Sequence, residues 1–317
     1  MHLPAAFRPA FIAACTATLL ASCTPGRTGQ PTSSASARPQ SLDALSARIQ
    51  RRIATVPGAV AGIAYRDLET GDTLYINADT SFHAASTMKV PVMIELYRGF
   101  DSGRFRPDQR MVLGNQFKSI VDGSPYSLDA GSDSDSLVYT RIGSEITIYE
   151  LIDRMITRSS NLATNTLIDL VGAANANATA HALGARNMRV LRGVEDSKAF
   201  QAGLSNATTA RDLAILMEAL ERNTAASPAS SQAMREILLR QAFNDEIPAG
   251  LPAGTPVAHK TGSITGVLHD AAIVYPARRK PYVLVLLTRG MPDENVARSM
   301  MVDISRFVYG HATGARR

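Results

Sequence analysis

Apolar side chains recur along this chain with different periods in different stretches, and the order of those periods predicts the architecture. Leu42, Leu45, Ile49 and Ile53 repeat at helical spacing behind Ser41, a residue suited to capping a first turn. Two strand-like runs follow, VAGIAYRDL and TLYINAD, on either side of Glu69-Thr70-Gly71-Asp72, which predicts a hairpin. From Ser86 to about Arg240 the period is helical, over 147–158, 160–171, 207–221 and 229–240. Strand-like runs return as VLHDAAIVYP and PYVLVLLTRG around Ala277-Arg278-Arg279-Lys280. A last helix carries Val296, Met300, Ile304 and Val308 on one face.

Strands near both ends with helices between them predict an α/β (α+β) fold: an antiparallel sheet contributed by both termini, flanked by helices, with an all-α region inserted. On this reading the folded domain spans 41–312, with its sheet part over 41–85 and 255–312 and its helical part over 86–254. Residues 113–142, rich in serine, aspartate and glycine, are expected to form a surface insertion.

The first forty residues read differently. Residues 1–23 carry Arg8 and then an apolar run from Phe11 to Ala21, which is a secretory signal too short to span a membrane. The segment ends in Leu20-Ala21-Ser22-Cys23, which resembles a bacterial lipobox, where the cysteine is lipidated and becomes the mature amino terminus. An ordinary signal cut nearby, with Cys23 incidental, is the alternative. Residues 24–40 contain no large apolar side chain, are rich in serine, threonine, proline and glycine, and read as a flexible tether. The expected location is the periplasmic face of a bacterial membrane, held there by the lipid on Cys23. Cys15 leaves with the signal, so no disulfide staples the domain and the core must hold it alone.

The 317 residues are 45% hydrophobic and 19% charged, enough for a large core. The formal charge of +5 is spread among acids rather than gathered in blocks, so no nucleic-acid partner is expected. The six histidines show no ligand spacing, and neither a metal nor another cofactor is implied. A monomer is expected.

Three short motifs carry the candidate chemistry. Ser86-Thr87-Met88-Lys89 enters the apolar helix VPVMIELY, so the hydroxyl and the amine share a face. A neutral amine can take a hydroxyl proton, but holding a lysine neutral near pH 7 means lowering its pKa by about three units, roughly 4 kcal/mol of environment. Ser159-Ser160-Asn161 falls at a break between helices, where it can either face a cleft or simply cap a helix. Lys260-Thr261-Gly262-Ser263 borders a strand, where it can grip a carboxylate and offer a backbone N–H, or can be a turn.

The ordered set S-x-x-K, S-x-N, K-T-G resembles that of class A serine β-lactamases and their penicillin-binding, D,D-peptidase relatives. The surroundings are similar too: SSNLATNTLIDL, with Asn165 at the family's second asparagine, EITIYELIDRMIT before it, and HDAAIVYP after K-T-G. The resemblance covers roughly 41–310. It implies a β-lactam substrate and a serine hydrolase in which Ser86 attacks the carbonyl and Lys89 helps activate it. Ser159 relays a proton, Asn161 binds the acyl-amide side chain, and Lys260 and Thr261 address the carboxylate. The backbone N–H groups of Ser86 and Ser263 form the oxyanion hole. Glu195, in Leu191-Arg192-Gly193-Val194-Glu195, falls in the register of the family's deacylating carboxylate; the bland reading is one surface acid among the chain's 28 acidic residues.

The chain departs from the family pattern at four places. Ser160 replaces the middle aspartate of S-D-N, and Ala199 replaces the asparagine that helps hold a water. Arg192 is displaced by one position, and Leu268 or His269 stands where a carboxylate-binding arginine is usual. Asp196, its neighbour, is placed to share the task of Glu195. A D,D-peptidase or penicillin-binding activity is the alternative function, with a non-catalytic cell-wall-binding lipoprotein as a third reading.

Overall fold

The computed structural model describes residues 41–291 and 293–314. The signal, the lipidation site at Cys23 and the tether lie outside the described residues.

Five strands form one antiparallel sheet in the order Thr73–Ile76, Val60–Asp67, Tyr282–Arg289, Val267–Val274, Val257–Ile264. The chain's first and last strand runs meet at the centre, where Ile63 faces Leu286 and Tyr65 faces Leu284. The run VLVLL from Val283 to Leu287 is apolar throughout because both faces of the sheet are covered. Alternate residues point to opposite sides. Tyr282, Leu284 and Leu286 join one core, and Val283, Val285 and Leu287 join another.

The first core lies under the two terminal helices, Leu42–Ala54 and Glu294–Thr313. Leu45, Ile49, Met300, Ile304 and Val308 are buried there, as the helical spacing requires. Ser41 caps the first helix by accepting the Ala44 N–H at 3.2 Å, a contact typically contributing about 1 kcal/mol. The second core lies between the sheet and the helical region. Its axis is the helix Lys89–Asp101, buried from Lys89 through Tyr97.

The predicted helices are present with shifted ends: Ile148–Thr157, Asn161–Val171, Ala210–Glu221 and Pro228–Leu238. The pattern over 207–221 begins late because Ala207 and Thr208 pair with Phe82 and His83 as a short ladder, and Thr209 then caps the helix. The stretch 113–142 is largely exposed, as a surface insertion would be, yet it holds the short ladder Phe117–Lys118 with Pro125–Tyr126 and buries Ser119, Asp133 and Asp135 against the helical region.

Candidate active site

A short 3-10 turn, Ala85–Met88, runs directly into the helix Lys89–Asp101, so Ser86 and Lys89 sit one turn apart at its start. Ala85 has φ +45°, and its N–H is taken by Nδ1 of His83 at 3.0 Å. Burial, then the Arg192 charge, lowers the proton affinity of His83, which keeps the ring available as a neutral acceptor.

Lys89 is fully buried. Its Nζ donates to the carbonyl oxygen of Ser159 at 2.6 Å, to Oδ1 of Asn161 at 2.9 Å and to Oγ of Ser159 at 3.2 Å. Burial lowers its pKa to about 7, against an opposing pull from the carboxylates of Asp133 and Glu195. Lys260, on the edge strand Val257–Ile264, is fully buried as well and reaches the same hydroxyl, 3.0 Å from Ser159 Oγ. Burial first, and the Lys89 charge second, hold its pKa well below the usual lysine value. Ser159 Oγ therefore lies between two lysine nitrogens, and like-charge repulsion disfavours both carrying a proton at once. A hydroxyl so placed can pass a proton from one to the other.

The S-x-N segment divides its tasks. Ser159 stands at φ +56°. Ser160 is fully buried and caps the helix Asn161–Val171, accepting the Ala163 N–H at 3.2 Å. Ser159 and Asn161 both line the cleft. Capping and cleft-facing thus coexist, on different residues of the same motif.

The K-T-G segment is a strand, not a turn, and it runs against the turn that carries Ser86. A Cβ at Gly262 would stand 3.1 Å from the backbone nitrogen of Ser86 and 3.2 Å from Cβ of Ala85. Only glycine lets the strand lie so close without displacing the serine.

Glu195 reaches the site from the loop 191–206 with φ +61°. Its Oε1 accepts from Nδ2 of Asn161 at 2.7 Å, although the carboxylate is exposed to the cleft. Non-glycine residues in the left-handed region are uncommon, and Ala85, Ser159 and Glu195 gather three of them around one cleft. The loop itself is pinned from below by Asn165, whose Oδ1 accepts the Val194 N–H at 2.6 Å and whose Nδ2 donates to the Val194 carbonyl at 3.0 Å. Tyr126 also donates to that carbonyl, at 3.3 Å.

Two adjoining hollows of ≈ 730 and ≈ 280 Å³ share Ser86, Ser132, Asn161 and Ser263 in their walls. Glu195 lines the larger; Ser159 and Thr261 line the smaller. All eight candidate catalytic and substrate-binding residues thus converge on one cleft or its floor.

The departures from the family pattern resolve in different ways. Asp196 is not free to act as a base: it is buried and accepts from Ser119 Oγ, the Ile120 N–H and the Ala199 N–H. Ala199 is fully buried in the short helix that Asp196 caps. The displaced Arg192 donates to the carbonyls of Leu204 and Gly193, each at 2.9 Å. Asn206 completes the loop base, accepting the N–H groups of Leu191 and Arg192. His269 is fully buried and hydrogen-bonded to the His83 carbonyl and the Thr288 N–H, so it cannot reach a substrate. In its place the cleft wall carries Arg298, from the last helix, paired with Glu246 and Glu294. Arg298, Asp133 and Tyr126 carry no local sequence signal, because each acquires its partners only through tertiary contacts.

Residues 44–312 match the profile of the family described as "Beta-lactamase enzyme family". Among curated relatives, the β-lactamase AST-1 of Nocardia asteroides is 28% identical over 304 residues, which cover 94% of this chain and 93% of that protein. The solved structure of a β-lactamase from Sphaerobacter thermophilus is 29% identical with a TM-score of 0.75, covering 87% of this chain and 100% of that one. The structure of PBP-A is similar to the same degree, at 29% identity and a TM-score of 0.73, covering 86% and 96%. With the profile matched over most of its length and the motif residues gathered in one cleft, the chain belongs to the β-lactamase enzyme family.

Proposed function

We propose that this chain is a serine β-lactamase that opens the lactam through an acyl-enzyme on Ser86. The observation that carries this reading is the hydroxyl of Ser159, 3.2 Å from Lys89 Nζ and 3.0 Å from Lys260 Nζ beside the Ser86 turn. With a pKa near 7, Lys89 has a neutral fraction able to take the Ser86 proton as its oxygen bonds to the carbonyl carbon. The backbone N–H groups of Ser86 and Ser263 take the developing oxyanion. The carbon–nitrogen bond then breaks, and the nitrogen leaves with a proton from Ser159, which is replenished from the lysine pair. Glu195 accepts a proton from water as that water attacks the ester carbon, and the proton passes on to Ser86 Oγ as the ester bond breaks, freeing the serine and a carboxylic acid. Asn161 holds the acyl-amide side chain, and Lys260 with Thr261 addresses the substrate carboxylate.

Labelling with a fluorescent penicillin tests the assignment. The adduct should map by mass spectrometry to the peptide containing Ser86 and be absent in Ser86→Ala. An adduct on Ser159 would overturn it.

A penicillin-binding or D,D-peptidase activity is the second reading, favoured by the similarity to PBP-A and by alanine at position 199. Steady-state hydrolysis of a chromogenic cephalosporin separates the two, since the second reading leaves a persistent adduct and negligible turnover.

For location, we propose an exported lipoprotein anchored through Cys23, a reading supported by the lipobox-like sequence. Cys23→Ser should move the protein from the membrane to the soluble exported fraction. Wild-type protein found soluble would refute the anchor.

A further inference from the structure

We propose that Asp133 is a positioning residue for the acylation step, supplying from a separate loop the carboxylate that the S-x-N motif lacks at Ser160. Through it, the loop orients Asn161, the side chain that accepts from Lys89 Nζ. The proposal rests on the roles given above to Ser86 and Lys89.

Its geometry is that of a fully engaged anion. Asp133 is buried, and its Oδ2 accepts the N–H groups of Asn161 and Leu162, each at 2.9 Å, and the hydroxyl of Tyr139 at 3.1 Å. Its Oδ1 accepts the Asp135 N–H at 3.0 Å. A carboxylate at the first turn of the helix Asn161–Val171 is favoured by the unpaired N–H groups there and by the helix dipole. The two residues after it grip the same segment. Ser134 Oγ donates to the Arg158 carbonyl at 2.7 Å, and Asp135 pairs with Arg154 at 3.0 Å. Asp133-Ser134-Asp135 therefore holds the stretch from Arg154 to Leu162 at three points.

This arrangement makes sense of Ser160. A second carboxylate on the adjacent residue would crowd two like charges around one helix end. With the charge already delivered by Asp133, a neutral capping hydroxyl is the compatible side chain at position 160.

The charge also acts on Lys89. The ionisable groups facing that amine are Asp133 on this loop, Glu195 on the loop 191–206 and Lys260 on the edge strand. Asp133 and Glu195 favour its protonated form. Only Asp133 is also bonded to the backbone of Asn161, whose side chain accepts from the same amine at 2.9 Å. Removing the Asp133 charge should therefore lower the proton affinity of Lys89 and loosen Asn161 together.

The test is the rate of acylation by a fluorescent penicillin as a function of pH, measured on the full chain. Asp133→Asn should acylate roughly 10- to 100-fold more slowly at its optimum, the range expected for a lost charged hydrogen bond. Its acidic limb should move to lower pH. Asp133→Asn combined with Ser160→Asp, which returns a carboxylate to the same helix end, should recover most of the rate and the wild-type limb. Ser160→Asp alone should be slower than wild type, because it doubles the charge. An unchanged acidic limb in Asp133→Asn, at whatever rate, overturns the proposal and leaves Asp133 a purely structural residue. Should Asp133→Asn fail to fold, the double variant decides: folded and active supports the proposal, unfolded overturns it. Failure of the wild type to be labelled at Ser86 would instead refute the β-lactamase mechanism, a distinguishable result.

Discussion

Asn161 bridges Glu195 and Lys89: its Nδ2 donates to Glu195 Oε1 at 2.7 Å while its Oδ1 accepts from Lys89 Nζ at 2.9 Å. One amide thus links the amine assigned to acylation with the carboxylate assigned to deacylation. Substrate binding that engages this amide must disturb both contacts, and so couples occupancy of the cleft to the freedom of both groups.

Glu195→Ala separates the two half-reactions. General-base assistance is typically worth about 10²–10⁴-fold, and Lys89 remains to activate Ser86. The variant should be labelled by penicillin within a few-fold of the wild-type rate, while its adduct decays at least 100-fold more slowly. Stopped-flow acylation and mass-spectrometric decay give both constants. Decay at the wild-type rate would reduce Glu195 to a surface acid.

Asn165→Ala removes the floor of the same loop without touching the cleft. It leaves the Val194 N–H without its acceptor and the Val194 carbonyl with only the Tyr126 hydroxyl, which should cost about 1–3 kcal/mol in chemical denaturation. Deacylation should suffer more than acylation, because Glu195 is the next residue. Equal loss in both steps would show that the loop merely stabilises the fold.

Gly262→Ala probes the contact between the strand and the Ser86 turn. The added methyl stands 3.1 Å from Ser86 N and 3.2 Å from Thr87 Cγ2, so strand and turn must part by a few tenths of an ångström. Misplacement on this scale lowers rates steeply, and acylation should fall roughly 10- to 100-fold with little change in melting temperature. Wild-type acylation would mean that the turn yields freely.

Lys89 should impose a pH dependence on stability. Its folded pKa, about 7, lies below the usual lysine value, so between those two pH values the unfolded chain binds the proton that the folded chain releases. The sign follows: this residue destabilises the fold most below pH 7, and the penalty fades as pH rises toward about 10.4. Lys89→Met should abolish acylation, yet gain stability relative to wild type at low pH, with an upper limit on the order of 5 kcal/mol. The gain should shrink as pH rises. Calorimetric melting of both proteins from pH 6 to about pH 10 checks it, and a gain independent of pH would refute the depressed lysine.

The periods of apolar residues were sufficient to locate four of the sheet's five strands, the terminal helices and most of the helical region, because a face that must be buried writes its spacing locally. Ser86, Lys89, Ser159, Asn161, Lys260 and Thr261 were legible for a related reason: each motif is a short segment whose order along the chain survives folding. What the spacing left undecided was which residue within a motif faces the cleft. Packing decided that, making Ser160 the cap and Ser159 the group between two lysines. The same holds for Asp133, Arg298 and Asp196. Asp133 stands 28 residues from Asn161 in sequence and Arg298 stands 52 from Glu246, so no local pattern connects either pair. Asp196 neighbours Glu195, yet one carboxylate opens to the cleft and the other is spent on three donors beneath it. Adjacent acids in a sequence are chemically alike; burial and the donors each one meets after folding set their roles.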